Sequence, residues 1–118
     1  MSSWPALRER YLRDPVSIRL GGIAANLARI GTFSDNPDHG DAVFRLVRES
    51  EFFIEWTAAD VPRDQLADLA DLQRTLAVWH YSWPRAWSDQ SARKHLAARA
   101  GQWSQKVLAM SGLLPREA

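Results

Sequence analysis

The chain has 118 residues, 46% of them hydrophobic and 25% charged, with a formal net charge of +1 and no cysteine. This is the make-up of an ordinary globular domain, and it excludes disulfides, thiolate nucleophiles and cysteine-based zinc or iron–sulfur sites. So small a net charge gives no general pull on nucleic acid or lipid, and no apolar run approaches the ~20 residues of a membrane-spanning helix.

Strand alternation and hairpin signals such as Asn-Gly are absent, whereas helical periodicity recurs along the chain. The reading is all-α: one domain over 1–118, an up-down-up-down four-helix bundle with a short extra N-terminal helix. Residues 1–14 form a helical arm and 115–118 a polar tail. Met1-Ser2-Ser3-Trp4-Pro5 lacks the basic-then-apolar order of a secretory signal, so a cytoplasmic setting is expected. The bases are 13 Arg and 2 Lys beside 17 Ala, a bias that GC-rich bacterial coding produces.

In chain order, a first helix is predicted over about Pro5 to Arg13, with Trp4, Leu7 and Tyr11 on one side. Asp14-Pro15 supplies a capping residue and a first-turn proline for a second helix. In it Val16, Leu20, Ile23, Leu27 and Ile30 follow at steps of three and four. Gly21, Ala25 and Ala28 make a small-residue stripe beside Gly22. Two mid-helix glycines cost about 1 kcal/mol each relative to alanine, so close approach of another helix at that point, from the same chain or a second copy, is expected. Asn26 lies between Arg19 and Arg29 on the same side.

Ser34-Asp35-Asn36-Pro37-Asp38 is a turn. The next helix runs from about Gly40 to Thr57; Val43, Val47, Ser50, Phe53 and Ile54 mark one side, widened by Phe44, Leu46, Phe52 and Trp56. So broad an apolar face suits more than one packing partner. A further helix starts near Asp60-Val61-Pro62 and carries Leu69, Leu72, Leu76, Trp79 and Trp83. Pro84 cannot donate to the carbonyl of His80, so this helix kinks there, or stops and restarts through Trp87. Ser88-Asp89 caps the last helix, with Leu96, Ala100, Trp103, Val107 and Met110 on its inner side and Gly112 where a C-terminal cap glycine belongs.

Charge is uneven along these segments: residues 1–33 carry net +3, 34–71 net −7 and 72–118 net +5. An acidic stretch between basic ones suits helices packed side by side, or a polar binding surface.

Around the proline break, His80, Trp83, Arg85 and Trp87 offer aromatic walls, an imidazole and a guanidinium for an anion, a candidate ligand pocket. Core packing is the other reading of Trp79 and Trp83. Glu51 and Glu55 are one helical turn apart, as are Asp64 and Asp68, with Asp71 close by. This resembles the acidic arrangement of the all-α NTP pyrophosphatases, which would imply a magnesium site. The consecutive acids of that family's first motif are missing here, and the first turn of a helix favours Asp64 without any metal. No metal site and no cofactor are expected; His39 and His95 lack a second ligand at suitable spacing.

Arg74-Thr75-Leu76-Ala77-Val78-Trp79-His80 is an arginine, five residues and a histidine. It resembles the signature of the HEPN family, small all-α bundles that often dimerise and in many cases cleave RNA without metal. The resemblance spans those seven residues. It implies a catalytic pair in Arg74 and His80, with Thr75 as the polar residue after the arginine. On a straight helix six residues rotate by ~240°, which would turn the two side chains apart.

The function expected from the whole is a non-catalytic interaction or adaptor domain that self-associates, with Gly21, Ala25, Ala28, Phe52 and Trp56 as interface residues. Trp and Arg are over-represented in interface hot spots. The expected partner is a protein or a second copy, rather than nucleic acid or a membrane. The alternatives are a HEPN-like metal-independent ribonuclease or nucleotide-binding bundle built on Arg74 and His80, and a bundle binding a small ligand in an aromatic pocket near Pro84.

Overall fold

Five apolar stripes at helical spacing leave little room for any other architecture. In the computed structural model, which describes residues 4–113, every regular element is a helix. The α-helices are α1 (Trp4–Leu12), α2 (Val16–Phe33), α3 (Gly40–Thr57), α4 (Arg63–Tyr81), α5 (Trp83–Ala86) and α6 (Gln90–Ser111). Short 3-10 turns, Pro37–His39 and Ala58–Asp60, lie on either side of α3. None of the helices among the described residues is long and apolar enough to cross a membrane. The expected polar tail at 115–118 lies outside the described residues, as does the start of the N-terminal arm.

The periodic residues form the core. Leu20, Ile23, Leu27 and Ile30 of α2 are buried with Val43, Val47, Phe53 and Ile54 of α3, Leu69, Leu72, Leu76 and Trp79 of α4, and Leu96, Ala100, Trp103 and Val107 of α6. Helix α2 packs against both α6 and α3; α3 in turn carries α4 on one flank and α1 on another. The extents, 39 × 39 × 21 Å, describe a slab about two helices thick.

The α2–α6 pairing is close because the side chains between the two helices are small. Ala24 and Ala100 are buried there, the Ser104 hydroxyl donates to the carbonyl of Ala24 at 2.7 Å, and a Cβ on Gly31 would stand 3.4 Å from the carbonyl of Ala97. Helices α4 and α6 are joined mainly through long side chains. The Gln65 amide donates to the Met110 carbonyl at 3.3 Å, and Lys106 pairs with Asp68 at 3.2 Å.

Helix ends follow local chemistry in part. Asp89 caps α6, accepting from the Ala92 N–H at 2.8 Å, and Gly112 ends it with φ +74°, the left-handed conformation a helix terminus favours in glycine. Asp14 and Asp60 do not cap. Prolines 15 and 62 stand at the N-cap positions of α2 and α4, without a side-chain cap. Both residues meet Arg19 instead, Asp14 through its backbone carbonyl and Asp60 through its carboxylate. Its buried guanidinium donates from Nε to the Asp14 carbonyl and from Nη1 to Asp60 Oδ2, both at 3.0 Å, with the Trp56 carbonyl at 3.4 Å. A buried guanidinium has several donors to satisfy, and that need outranks a helix cap.

Tyr11 completes this knot. Its hydroxyl donates to the Arg19 carbonyl at 2.8 Å and lies 3.1 Å from Thr57 Oγ1, and its ring stacks on Phe53 at 4.0 Å. Burial pushes the Tyr11 hydroxyl pKa well above its ordinary value, with the Thr57 hydroxyl and Arg19 opposing in part. Below the ordinary tyrosine value of about 10 both folded and unfolded chains hold this proton; above it only the folded chain does. Stability is therefore expected to fall as pH rises beyond about 10 in urea titrations. Tyr11→Phe should flatten that slope while costing about 1 kcal/mol at neutral pH.

Candidate functional site

Helix α4 stops at Tyr81. Ser82 folds back on it, its N–H donating to the Val78 carbonyl at 3.1 Å and its hydroxyl bonding the same oxygen. Four residues of α5 then turn the chain, with the Trp87 N–H closing on the Trp83 carbonyl at 3.0 Å. The break expected at Pro84 is thus a stop and a restart, and it sends the neighbouring side chains to two different sides.

On the α3 side stand His80, Trp83 and Trp87. His80 Nδ1 lies 3.1 Å from Arg48 Nη1 and 3.2 Å from Glu51 Oε1, and Arg48 Nη1 also reaches Glu51 at 3.1 Å. Arg48 donates to the imidazole and to the carboxylate; a protonated imidazole would donate to Glu51 instead. Phe44 meets the His80 ring edge-on at 5.5 Å, and Tyr81 stacks on it at 4.2 Å. Trp83 packs on Phe44 at 5.1 Å and stacks on Trp87 at 5.2 Å and 17°.

Trp87 closes the series. Its Nε1 donates to the Pro37 carbonyl at 3.0 Å, and Arg93 stands over its ring at 5.7 Å while donating to its carbonyl. A Cβ at Gly40 would lie 2.9 Å from Trp87 Nε1, so glycine there admits the indole. These aromatics fasten α5 to the start of α3.

On the other side of the break is a groove of about 270 Å³ between α4, α5 and α6. Trp79, Leu96, Ala86, Ala92 and Val78 give it apolar walls; Ser82, Arg85 and His95 bring polar atoms. Of the four residues expected to line a pocket, Arg85 lines this groove and His80, Trp83 and Trp87 do not. Arg85 and His95 have no side-chain hydrogen bond or ion pair among the described residues. A second, smaller hollow of about 130 Å³ lies between Ser34, Asp35 and the first turns of α6.

The other sequence candidates are dispersed. Arg74 is exposed and pairs with Asp71 on its own helix, whereas His80 is held by α3, so the structure does not bring Arg74 and His80 together. Among the acids, Glu51 serves Arg48 and His80, Asp68 serves Lys106 and Asp71 serves Arg74, while Glu55 and Asp64 are exposed. No group of three His, Asp or Glu among the described residues is placed to hold a metal ion.

At Gly21 an added Cβ would stand 2.8 Å from Leu113 Cδ1, and at Gly22 it would face Tyr11 at 3.6 Å. The tight neighbour at Gly21 is thus a side chain beyond the end of α6 and Gly22 has only ordinary contacts, so no second helix is pressed against this pair of glycines among the described residues. Ala25 and Ala28 are exposed. Phe52 lies half-buried between Trp4 at 4.5 Å and Trp56 at 5.6 Å, beneath Arg48. Asn26 is buried, donating to Glu49 at 3.2 Å and accepting from Arg29.

The outward face of α4 was not legible from residue spacing. Five large apolar residues are exposed among those described, and Leu66, Val78 and Tyr81 of α4 are three of them, at 39%, 62% and 81% exposure. In sequence they are interleaved with charges, and they separate from the core stripe only once the inner face, Leu69, Leu72, Leu76 and Trp79, is fixed.

No family model matches the chain, and no curated protein or solved structure matches it.

Gly40→Ala tests the seat of Trp87. Where nothing approached, alanine would be neutral or mildly stabilising in a helix. Here it is expected to expel the indole from the Pro37 carbonyl, lower stability by about 1 kcal/mol and shift tryptophan emission to the red. In a Trp87→Phe background the red shift should vanish.

Proposed function

We propose that this chain is a non-catalytic interaction domain that self-associates through the outward face of α4. The observation that carries the reading is the concentration of exposed apolar side chains on that one helix: Leu66, Val78 and Tyr81. Scattered single apolar residues on a surface need no explanation, but Val78 and Tyr81 are neighbours three residues apart on one exposed helix face, which marks a contact surface. The two large aromatic groupings, around Phe52 and around Trp83, are turned to intramolecular packing and do not cover the outer face of α4. The four long helices are read as an up-down-up-down bundle with α1 as its arm, on the strength of short connections and of the α2–α6, α2–α3 and α3–α4 packing. A reducing, cytoplasmic setting suits the cysteine-free composition.

Native mass spectrometry and light scattering at high protein concentration are expected to show a species of twice the 13.4 kDa chain mass. Val78→Asp should return it to the monomer with helical content unchanged, since that side chain lies outside the core. A wild-type chain that stays monomeric would remove the reading.

A second reading is favoured by the groove beside α5. Apolar walls with an unengaged guanidinium and imidazole at the edge suit a small amphipathic anion. Anilinonaphthalene sulfonate is a suitable probe. Its fluorescence should rise on binding as Trp79 emission falls, and Arg85→Ala should weaken binding about tenfold. Equal binding to the wild type and to Arg85→Ala would count against this site.

A further inference from the structure

We infer that the partner of the α4 face is a second copy of the same helix, lying antiparallel across a two-fold axis that passes between the levels of Leu72 and Gln73. This deepens the self-association reading and rests on it.

Ala67, Asp71, Arg74, Val78 and Tyr81 recur at alternating steps of four and three, and all five are exposed. At 100° per residue they fall on one stripe opposite the buried Leu69, Leu72 and Leu76. Steps of four and three are the spacing by which two helices meet along a coiled-coil seam, here with a charged pair at its centre. The stripe is also self-complementary when reversed. About the stated axis, Asp71 of one copy faces Arg74 of the second, and the reverse contact repeats it. Val78 faces Ala67, a large apolar side chain against a small one. Tyr81 faces Asp64, a hydroxyl donor against a carboxylate acceptor.

Asp71 and Arg74 already pair within one chain. At the axis the two pairs become a ring of four charges with alternating signs. A parallel arrangement would instead set Asp71 on Asp71 and Arg74 on Arg74, like charges that disfavour it. A two-fold contact of this kind uses the same patch on both copies and closes on itself, so it yields a dimer rather than a fibre. The 19 residues of α4 give a seam about 28 Å long. So short a seam belongs with small, weak interfaces, which sets the concentration at which it is measured.

The chain has no cysteine, so introduced thiols report alone. The double variant Ala67→Cys with Val78→Cys is expected to give a disulfide-linked dimer under mild oxidation, while each single variant stays unlinked. Asp71→Arg and Arg74→Asp should each weaken dimerisation of the otherwise native chain at least about tenfold, and the two together should restore it. A wild type that dimerises while the double-cysteine variant does not cross-link would overturn this pairing and leave self-association standing. Cross-linking by the single variants would point to the parallel arrangement and overturn it too. A monomeric wild type at millimolar concentration would end both.

Discussion

The close approach of α2 and α6 is the contact on which the rest of the slab depends. It joins segments some 80 residues apart, with the Ser104 hydroxyl set into the Ala24 carbonyl and with alanine and glycine where larger side chains would hold the helices apart. Helix α2 is therefore covered by α6 on one flank and by α3 on another, and its apolar residues are among the most buried in the protein. Helix α3 extends the arrangement outward by taking α4 and α1. Helix α4 comes last in this order. It has a well-packed inner face, side-chain links to α6, and an outer face that nothing among the described residues covers.

Arginine does much of the joining between these layers. Arg19 gathers two backbone carbonyls and Asp60 around the start of α2; Arg48 links Glu51 and Phe52 of α3 to His80 of α4; Arg93 holds Trp87 by its ring and its carbonyl. A planar group with five donors and a flat face can serve carbonyls, carboxylates and aromatic rings together, which a lysine in the same place could not. The arginine bias of the composition thus has a structural use, whatever its origin.

Apolar spacing made the core legible. Leu20, Ile23, Leu27 and Ile30, or Leu96, Ala100, Trp103 and Val107, announce their inner face by position alone, as Asp89 and Gly112 announce the two ends of α6. What could not be read locally was the choice of partner across helices. Asp60 has the form of a cap and becomes the anion of Arg19, because a buried guanidinium outweighs a helix end. His80, Trp83, Arg85 and Trp87 are close in sequence, yet the restart at α5 divides them, three toward α3 and one into the groove. Arg74 and His80 match a spacing in sequence, but the helix turns them to different surroundings. The α4 face was hidden for the opposite reason: a charged pair, Asp71 and Arg74, sits between its apolar residues, so its regularity appears only once the inner face of the same helix is subtracted.

The stacked Trp83 and Trp87 rings are a chromophore as well as a fastening. Two nearly parallel indoles 5.2 Å apart share their electronic excitation, and the coupled transitions add a band to the far-ultraviolet ellipticity on top of the helical signal. Helix content read from circular dichroism would be biased by that band. Its disappearance during unfolding would report the loss of the turn through α5, separately from the melting of the long helices.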